Sequence, residues 1–165
     1  MDIQSLLPKQ HCGVYRAPFE AVIALMPDLC NVFCSAPIQC FDHVWDVKVH
    51  MLMPGQYPCI PNWHTDMVRR GDDGKKIPGS EQPDEKMFLW LSGQPFTEFS
   101  DGREIVAQKW HPFTQMDKHR GTASAEHCWR MFIRTVPRSI LDPADPKLWV
   151  RRHSQVYLDA DNFQW

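Results

Sequence analysis

The chain has 165 residues, a length typical of one domain, and its 43% hydrophobic content is typical of a folded protein. Its 18 Lys and Arg nearly balance its 20 Asp and Glu, and the resulting charge of -2 disfavours a dedicated nucleic-acid-binding protein. No apolar run approaches the roughly 20 residues of a membrane helix, and the first residues lack the basic and apolar regions of a signal peptide. We therefore expect one domain over residues 1–165, a cytoplasmic location and no membrane partner.

The first half of the chain predicts one short helix and one strand. Apolar residues at helical spacing between Phe19 and Met26 predict an amphipathic helix after Pro18. From Trp45 to Met53, apolar residues alternate with polar ones, which is the pattern of a half-buried strand. Residues 67–86 are rich in charges and glycines without an apolar period, so we expect either a mobile loop or lid, or a solvated insertion without a role.

Strand signals dominate the second half. Residues 87–91 form a continuous apolar run of strand length, and Ser100-Asp101-Gly102 suggests a hairpin turn. Residues 128–135 predict a strand with one apolar face and one face that carries Arg130 and Arg134. The fold class is therefore mainly β, a sandwich or barrel with a short N-terminal helix and a C-terminal extension from Leu141.

Three residues could share one metal ion. His64 and Asp66 are two positions apart, and on extended backbone such residues point to the same side. His119 lies farther along, directly before Arg120-Gly121. Two imidazoles and a carboxylate are the protein ligands of non-haem Fe(II) oxygenases, which keep three metal positions open. His111 and His127 compete with His119 for the third place, and structural or surface roles for all of these histidines remain open.

The order His64, Asp66, His119, followed by a basic residue on a late strand, resembles the Fe(II)/2-oxoglutarate-dependent oxygenase superfamily. The resemblance covers roughly residues 44–136 and implies a double-stranded β-helix, a jelly-roll or cupin-like fold, over that core. It implies Fe(II) held by His64, Asp66 and His119, with 2-oxoglutarate as cosubstrate. Arg130 and Arg134 match the position of the cosubstrate-binding basic residue in that superfamily. Arginine suits this role, since a guanidinium can form a bidentate pair with the far carboxylate of the cosubstrate.

The resemblance implies an oxygenase, most simply a hydroxylase, acting on a small molecule or a peptide whose identity the sequence does not give. Lys48, Tyr57 and Trp63 are near the motif and could line its pocket. Two alternatives stay open. One is a cupin-like metal enzyme that does not use 2-oxoglutarate, and the other is a non-catalytic jelly-roll binding or structural protein with incidental histidines.

Overall fold

The computed structural model describes residues 2–10, 13–141, 150–152 and 155–158 of a mainly β protein with antiparallel sheets. Its helices are α1 (Ile3–Leu6), α2 (Phe19–Leu25) and α3 (Cys30–Cys34), with 3-10 turns at Leu7–Lys9, Pro27–Leu29, Cys40–Asp42 and Arg138–Ile140. The strands are β1 (Gly13–Ala17), β2 (His43–Leu52), β3 (Met87–Leu91), β4 (Thr97–Phe99), β5 (Trp110–Phe113), β6 (His119–Gly121), β7 (Cys128–Pro137) and β8 (Val150–Arg152). Within these ranges, no helix has the length and apolarity that crossing a membrane requires.

The strands form two sheets. The large sheet has the order β5-β3-β7-β2-β1-β8, and the small sheet pairs β4 with β6. A bridge between His64 and His119 attaches a further extended segment to the free edge of β6. From β2 to β7, the chain alternates strictly between the two sheets, which do not close into a barrel over the described residues.

The outer face of the large sheet is covered by the N-terminal helices. Trp45 on β2 is fully buried there, and its ring packs against Phe33 of α3 and Phe19 of α2 with centroid separations of 5.8 and 5.4 Å. The apolar stripe of α2 faces this layer, as the helical spacing predicts, and Pro18 is the residue that precedes its first turn. This contact anchors β2, the strand that also faces the candidate site.

The inner face of the large sheet is unusually polar at its centre. On β2 and β7, cross-strand partners are Asp46 with Arg134, Lys48 with Phe132, and His50 with Arg130. Because side chains alternate along a strand, these residues share the face opposite the helices. An apolar cluster that includes Val44, Leu89, Phe99 and Phe113 packs at one end of the same space. The polar positions of β2 therefore face the protein interior, and the expected half-exposed strand is wrong in this respect.

The second half of the chain agrees with some of the predicted elements and differs from others. The strand predicted at residues 87–91 is β3, and residues 67–86 contain turns and no named helix or strand. Gly102 closes a turn by donating its backbone N–H to Phe99 at 3.1 Å. The hairpin expected there is wrong, because β4 pairs with β6 and the chain crosses to β5 in the other sheet. Part of the C-terminal extension forms β8 against β1, whereas residues 142–149 and 159–165 lie outside the described residues.

Candidate metal centre and its cavity

His64, Asp66 and His119 meet in space although 53 residues separate the last two along the chain. One ligand atom from each lies within 4.8 Å of the other two. The backbone produces this meeting, because His64 and His119 exchange two hydrogen bonds of 3.0 and 2.9 Å across the edge of β6. Their rings are inclined by 58° with centroids 4.4 Å apart. The predicted triad thus comes together between the two sheets.

Both imidazoles are oriented by backbone carbonyl oxygens. Nδ1 of His64 lies 2.8 Å from the carbonyl oxygen of Asn62, and Nδ1 of His119 lies 3.2 Å from that of Asp117. A carbonyl only accepts a hydrogen bond, so each Nδ1 carries a proton and Nε2 is the ring atom left to bind a metal. The two Nε2 atoms are 3.9 and 3.3 Å from oxygens of Asp66. This carbonyl-oriented arrangement is what metal-binding histidines require.

The charges around the triad keep Asp66 ionised. Burial raises the pKa of this carboxyl, but the nearby Arg134 and the two histidines outweigh burial and hold the pKa well below its ordinary value. Burial lowers the pKa of His64. Burial also lowers the pKa of His119, but the hydrogen bond and charge of Asp66 reverse the direction and leave that pKa raised. An anionic carboxylate between two imidazoles is a donor set for a borderline transition-metal ion.

The triad opens into a cavity of ≈ 310 Å³ between the sheets. Most of the remaining wall is aromatic or aliphatic, and it includes Leu89, Phe99, Phe113, Phe132 and Tyr157. His64 and Asp66 are about four-fifths buried, with side-chain exposures of 17% and 20%. An apolar cavity with a few convergent polar groups is the usual form of a small-molecule site.

Lys48 is the notable cation of the cavity wall. Its ammonium lies 5.7 Å from the centroid of Phe132, and no hydrogen bond or ion pair to it is found among the described residues. Burial, followed by the charge of Arg134, lowers the pKa of Lys48. The sequence identified Lys48 as a candidate pocket residue, and the structure places it there.

Arg130 lies directly behind the cavity wall, and its side chain is 1% exposed. Its Nε donates to the Pro95 carbonyl at 2.9 Å and its Nη2 donates to the Thr97 hydroxyl at 3.0 Å. Nη1 has no partner, and within the described residues no carboxylate pairs with this guanidinium. Burial lowers the pKa of Arg130 to about 10, which still leaves it charged at neutral pH. Thr97 and Cys59, which line the cavity, separate Arg130 from the open space.

Arg134 occupies a different environment from Arg130. It lines the cavity and forms ion pairs with both Asp66 and Asp46. Asp46 is fully buried, although the alternating pattern from Trp45 to Met53 predicted a strand that is only half buried. The sequence held one signal for the Asp46–Arg134 pair: an acidic residue among apolar ones on one long strand and an arginine on another. This signal could not be interpreted without the register between the two strands.

The remaining candidates lie elsewhere. His111 is hydrogen-bonded to Val106 on the β5 side, and His127 is exposed, so neither joins the triad. Trp63 is 45% exposed and stacks under the guanidinium of Arg120 outside the cavity lining. Tyr57 pairs through its backbone with Tyr157, and the latter, which sequence reasoning missed, contributes to the wall.

Comparison with known proteins adds no relative to this description. No protein-family model, no curated protein and no solved structure matches the chain. The geometry of the site and the resemblance of its motif are therefore the features that bear on function.

Proposed function

We propose that this protein is an Fe(II)- and 2-oxoglutarate-dependent oxygenase, most simply a hydroxylase of a small molecule or peptide. The observation that carries the proposal is the convergence of His64, Asp66 and His119, whose ligand atoms lie within 4.8 Å of one another, with both Nδ1 atoms occupied by carbonyls. Two imidazoles and one carboxylate suit Fe(II) and leave half of an octahedral coordination sphere free.

The strand order supports the finer fold assignment that this proposal includes. A chain that alternates between two facing sheets at every strand from β2 to β7 winds as a helix of paired strands. We propose that the core is a double-stranded β-helix, with β1 and β8 extending its large sheet. The candidate centre would then lie between the sheets, where the β6 edge meets the inner face of β7.

Two cations suit a keto diacid. Arg130 and Lys48 have no acidic partner among the described residues, and both approach the ring of Phe132, at 5.9 and 5.7 Å. A buried cation without a counterion is costly, so an anionic ligand that reaches this region would gain a strong partner. In the proposal, Lys48 on the cavity wall receives the far carboxylate of 2-oxoglutarate, and Arg130, directly behind that wall, adds positive charge. Arg134 is already neutralised by Asp46 and Asp66.

Each part of the wall then has a role. His64, Asp66 and His119 bind the metal, Lys48 orients the cosubstrate with Arg130 behind it, and the apolar part of the lining excludes water from the reacting groups. Bound iron with its chelated keto acid would supply the oxidising chemistry that the family resemblance implies, coupled to decarboxylation to succinate.

Anaerobic titration tests the proposal. Fe(II) followed by 2-oxoglutarate should produce the visible charge-transfer absorption of a chelated keto acid. His64→Ala should abolish the absorption, whereas His127→Ala, which alters an exposed histidine, should leave it unchanged. Arg130→Met or Lys48→Met should weaken 2-oxoglutarate binding without weakening Fe(II) binding, and Arg138→Met, on the exposed surface, is the matched control.

Three outcomes separate the alternatives. The absorption band with the expected variant pattern supports the oxygenase. Iron binding without the band indicates a cupin-like metal enzyme that does not use 2-oxoglutarate. Absence of iron binding indicates a non-catalytic module and refutes the proposal.

A further inference from the structure

A chain of buried ion pairs connects the centre of the large sheet to Asp66. Nε of Arg134 donates to Oδ2 of Asp46 at 2.8 Å, Nη2 donates to the same oxygen, and Nη1 donates to Oδ2 of Asp66. The other oxygen of Asp46 accepts the backbone N–H of Arg16 at 2.7 Å. Asp46 is therefore held by strand β1 as well as by its cross-strand partner.

Stability alone is a poor explanation for this arrangement. Replacing a buried ion pair by apolar residues is often neutral or stabilising, so a sheet gains little from such a pair. Asp46 is completely buried and Arg134 is 9% exposed, on strands that could pack apolar side chains at these positions. The position of the chain's far end, on a candidate metal ligand, offers a better reason.

Asp66 needs an external support. Its backbone belongs to no strand, and the next residue, Met67, has a φ of 58° in the left-handed region. The backbone thus turns away from the β6 edge immediately after His64 and Asp66. The two histidines are fixed by backbone carbonyls, whereas the orientation of the Asp66 carboxylate depends on its own side-chain contacts, of which the Arg134 pair is the strongest.

The contact distinguishes the two oxygens of Asp66. Oδ2 accepts from Arg134 and lies 3.3 Å from Nε2 of His119, whereas Oδ1 lies on the His64 side, 3.9 Å from Nε2. A carboxylate oxygen that holds a guanidinium is a weaker metal donor, so Oδ1 is the oxygen left for a metal. A ligand using one oxygen leaves three positions on an octahedral ion, whereas a chelating carboxylate leaves only two.

We propose that Asp46, acting through Arg134, is a positioning residue that holds Asp66 as a single-oxygen metal ligand. The inference rests on the metal centre of the proposed function and goes further by assigning Arg134 to the carboxylate ligand rather than to the cosubstrate. It also gives a role to Asp46, a residue outside the motif.

Cobalt(II) binding to the purified full-length protein tests this role. We expect Asp46→Asn and Arg134→Gln each to weaken Co(II) binding about 10- to 100-fold, the usual effect of removing a group that orients a ligand. Because both residues act through one contact, the double variant should lose no more Co(II) affinity than the single variant with the larger loss. Glu98→Gln, which removes the acid of the exposed cross-strand pair with Arg120, should bind Co(II) as the wild type does.

The ligand-field absorption of bound Co(II) supplies a readout that a purely structural pair would not change. With Asp66 released, a second oxygen can approach the ion, so the spectrum of Asp46→Asn saturated with Co(II) should differ from that of the wild type. If a single variant does not fold, the double variant is used, because it removes both charges of the Asp46–Arg134 pair and leaves neither unpaired. Its Co(II) affinity and absorption spectrum then test the positioning role.

The outcomes distinguish this inference from the proposed function. If the wild-type protein binds no Co(II), both the metal centre and the inference are wrong. If it binds Co(II) and the Asp46 and Arg134 variants match its affinity and spectrum, only the inference is wrong. Additive losses in the double variant would also overturn it, because the two residues would then act independently.

Discussion

Gly121 is the position where the structure predicts the sharpest response to one added methyl group. A Cβ built on Gly121 would lie 2.5 Å from the carbonyl oxygen of Cys59 and 3.1 Å from both the carbonyl carbon and Sγ of Cys59. Non-bonded heavy atoms normally approach no closer than about 3.5 Å. In Gly121→Ala the segment around Cys59 must therefore move away from β6 by about 1 Å.

That movement has a calculable cost. The backbone N–H of Gly121 donates to the carbonyl of Ile60 at 2.8 Å, and a displacement of about 1 Å would lengthen this contact to about 3.8 Å, beyond hydrogen-bond range. Overpacking costs about 1–3 kcal/mol, and the lost hydrogen bond adds about 1 kcal/mol. We expect Gly121→Ala to reduce the free energy of unfolding by about 2–4 kcal/mol and to lower the melting temperature on the order of 10 °C.

The same displacement should reach the candidate metal centre. Ile60 leads to His64, so moving this segment separates His64 from His119, and sites of this kind tolerate displacements of only about 0.5 Å. Urea unfolding and Co(II) titration measure the two effects. The control is Gly71→Ala, where the nearest atom is a side-chain oxygen of Asp73 at 3.2 Å, with an expected change below about 0.5 kcal/mol. Equal stabilities of the two alanine variants would refute the reasoning.

Two further predictions concern residues outside the triad. Burial, with Arg130 and Lys48 nearby, lowers the pKa of His50 to about 3, so the folded protein keeps this ring neutral while the unfolded chain protonates it below its ordinary value of 6.5. The free energy of unfolding should then fall by about 1.4 kcal/mol per pH unit as the pH drops from 6.5 towards 4. His50→Leu should flatten this dependence in urea unfolding. A stability difference between the two proteins that does not change with pH would contradict the prediction. Trp63→Ala should cost no more than about 1 kcal/mol in the same assay, because its 4.6 Å contact with Arg120 is an exposed cation–π pair; a larger loss would show that Trp63 supports the core.

The strands were predictable where the chain is locally simple. The apolar run at residues 87–91 and the alternation at 128–135 are strands β3 and β7, because covered strands select β-branched and aromatic residues. The short strands β4 and β6 gave no comparable signal, since three residues cannot display a period. The turn predicted at Gly102 is present. The crossing of the chain from β4 to β5 in the other sheet could not be predicted, because it depends on long-range packing.

The candidate site was predictable in its ligands and less so in its surroundings. Spacing and motif order indicated His64, Asp66 and His119, and the structure brings all three together. The alternation in β2 predicted a half-buried strand, because alternation distinguishes two faces without showing that the polar face also lies in the interior. Lys48 was a candidate pocket residue because it is near the motif, whereas Asp46 had no predicted partner, since its pairing with Arg134 depends on the register between β2 and β7.

The charges on that inner face connect the fold to the proposed ligand. Arg134 is balanced by Asp46 and Asp66, but Lys48 and Arg130 lack acidic partners among the described residues. Folding therefore places two cations in a region where desolvation is costly, and an anion bound beside Lys48 in the cavity would recover part of that free energy. An anion at 100 times its dissociation constant would stabilise the folded state by about 2.7 kcal/mol. Cations without acidic partners on the inner face of the sheet are expected if a bound ligand, rather than the polypeptide, supplies the compensating negative charge.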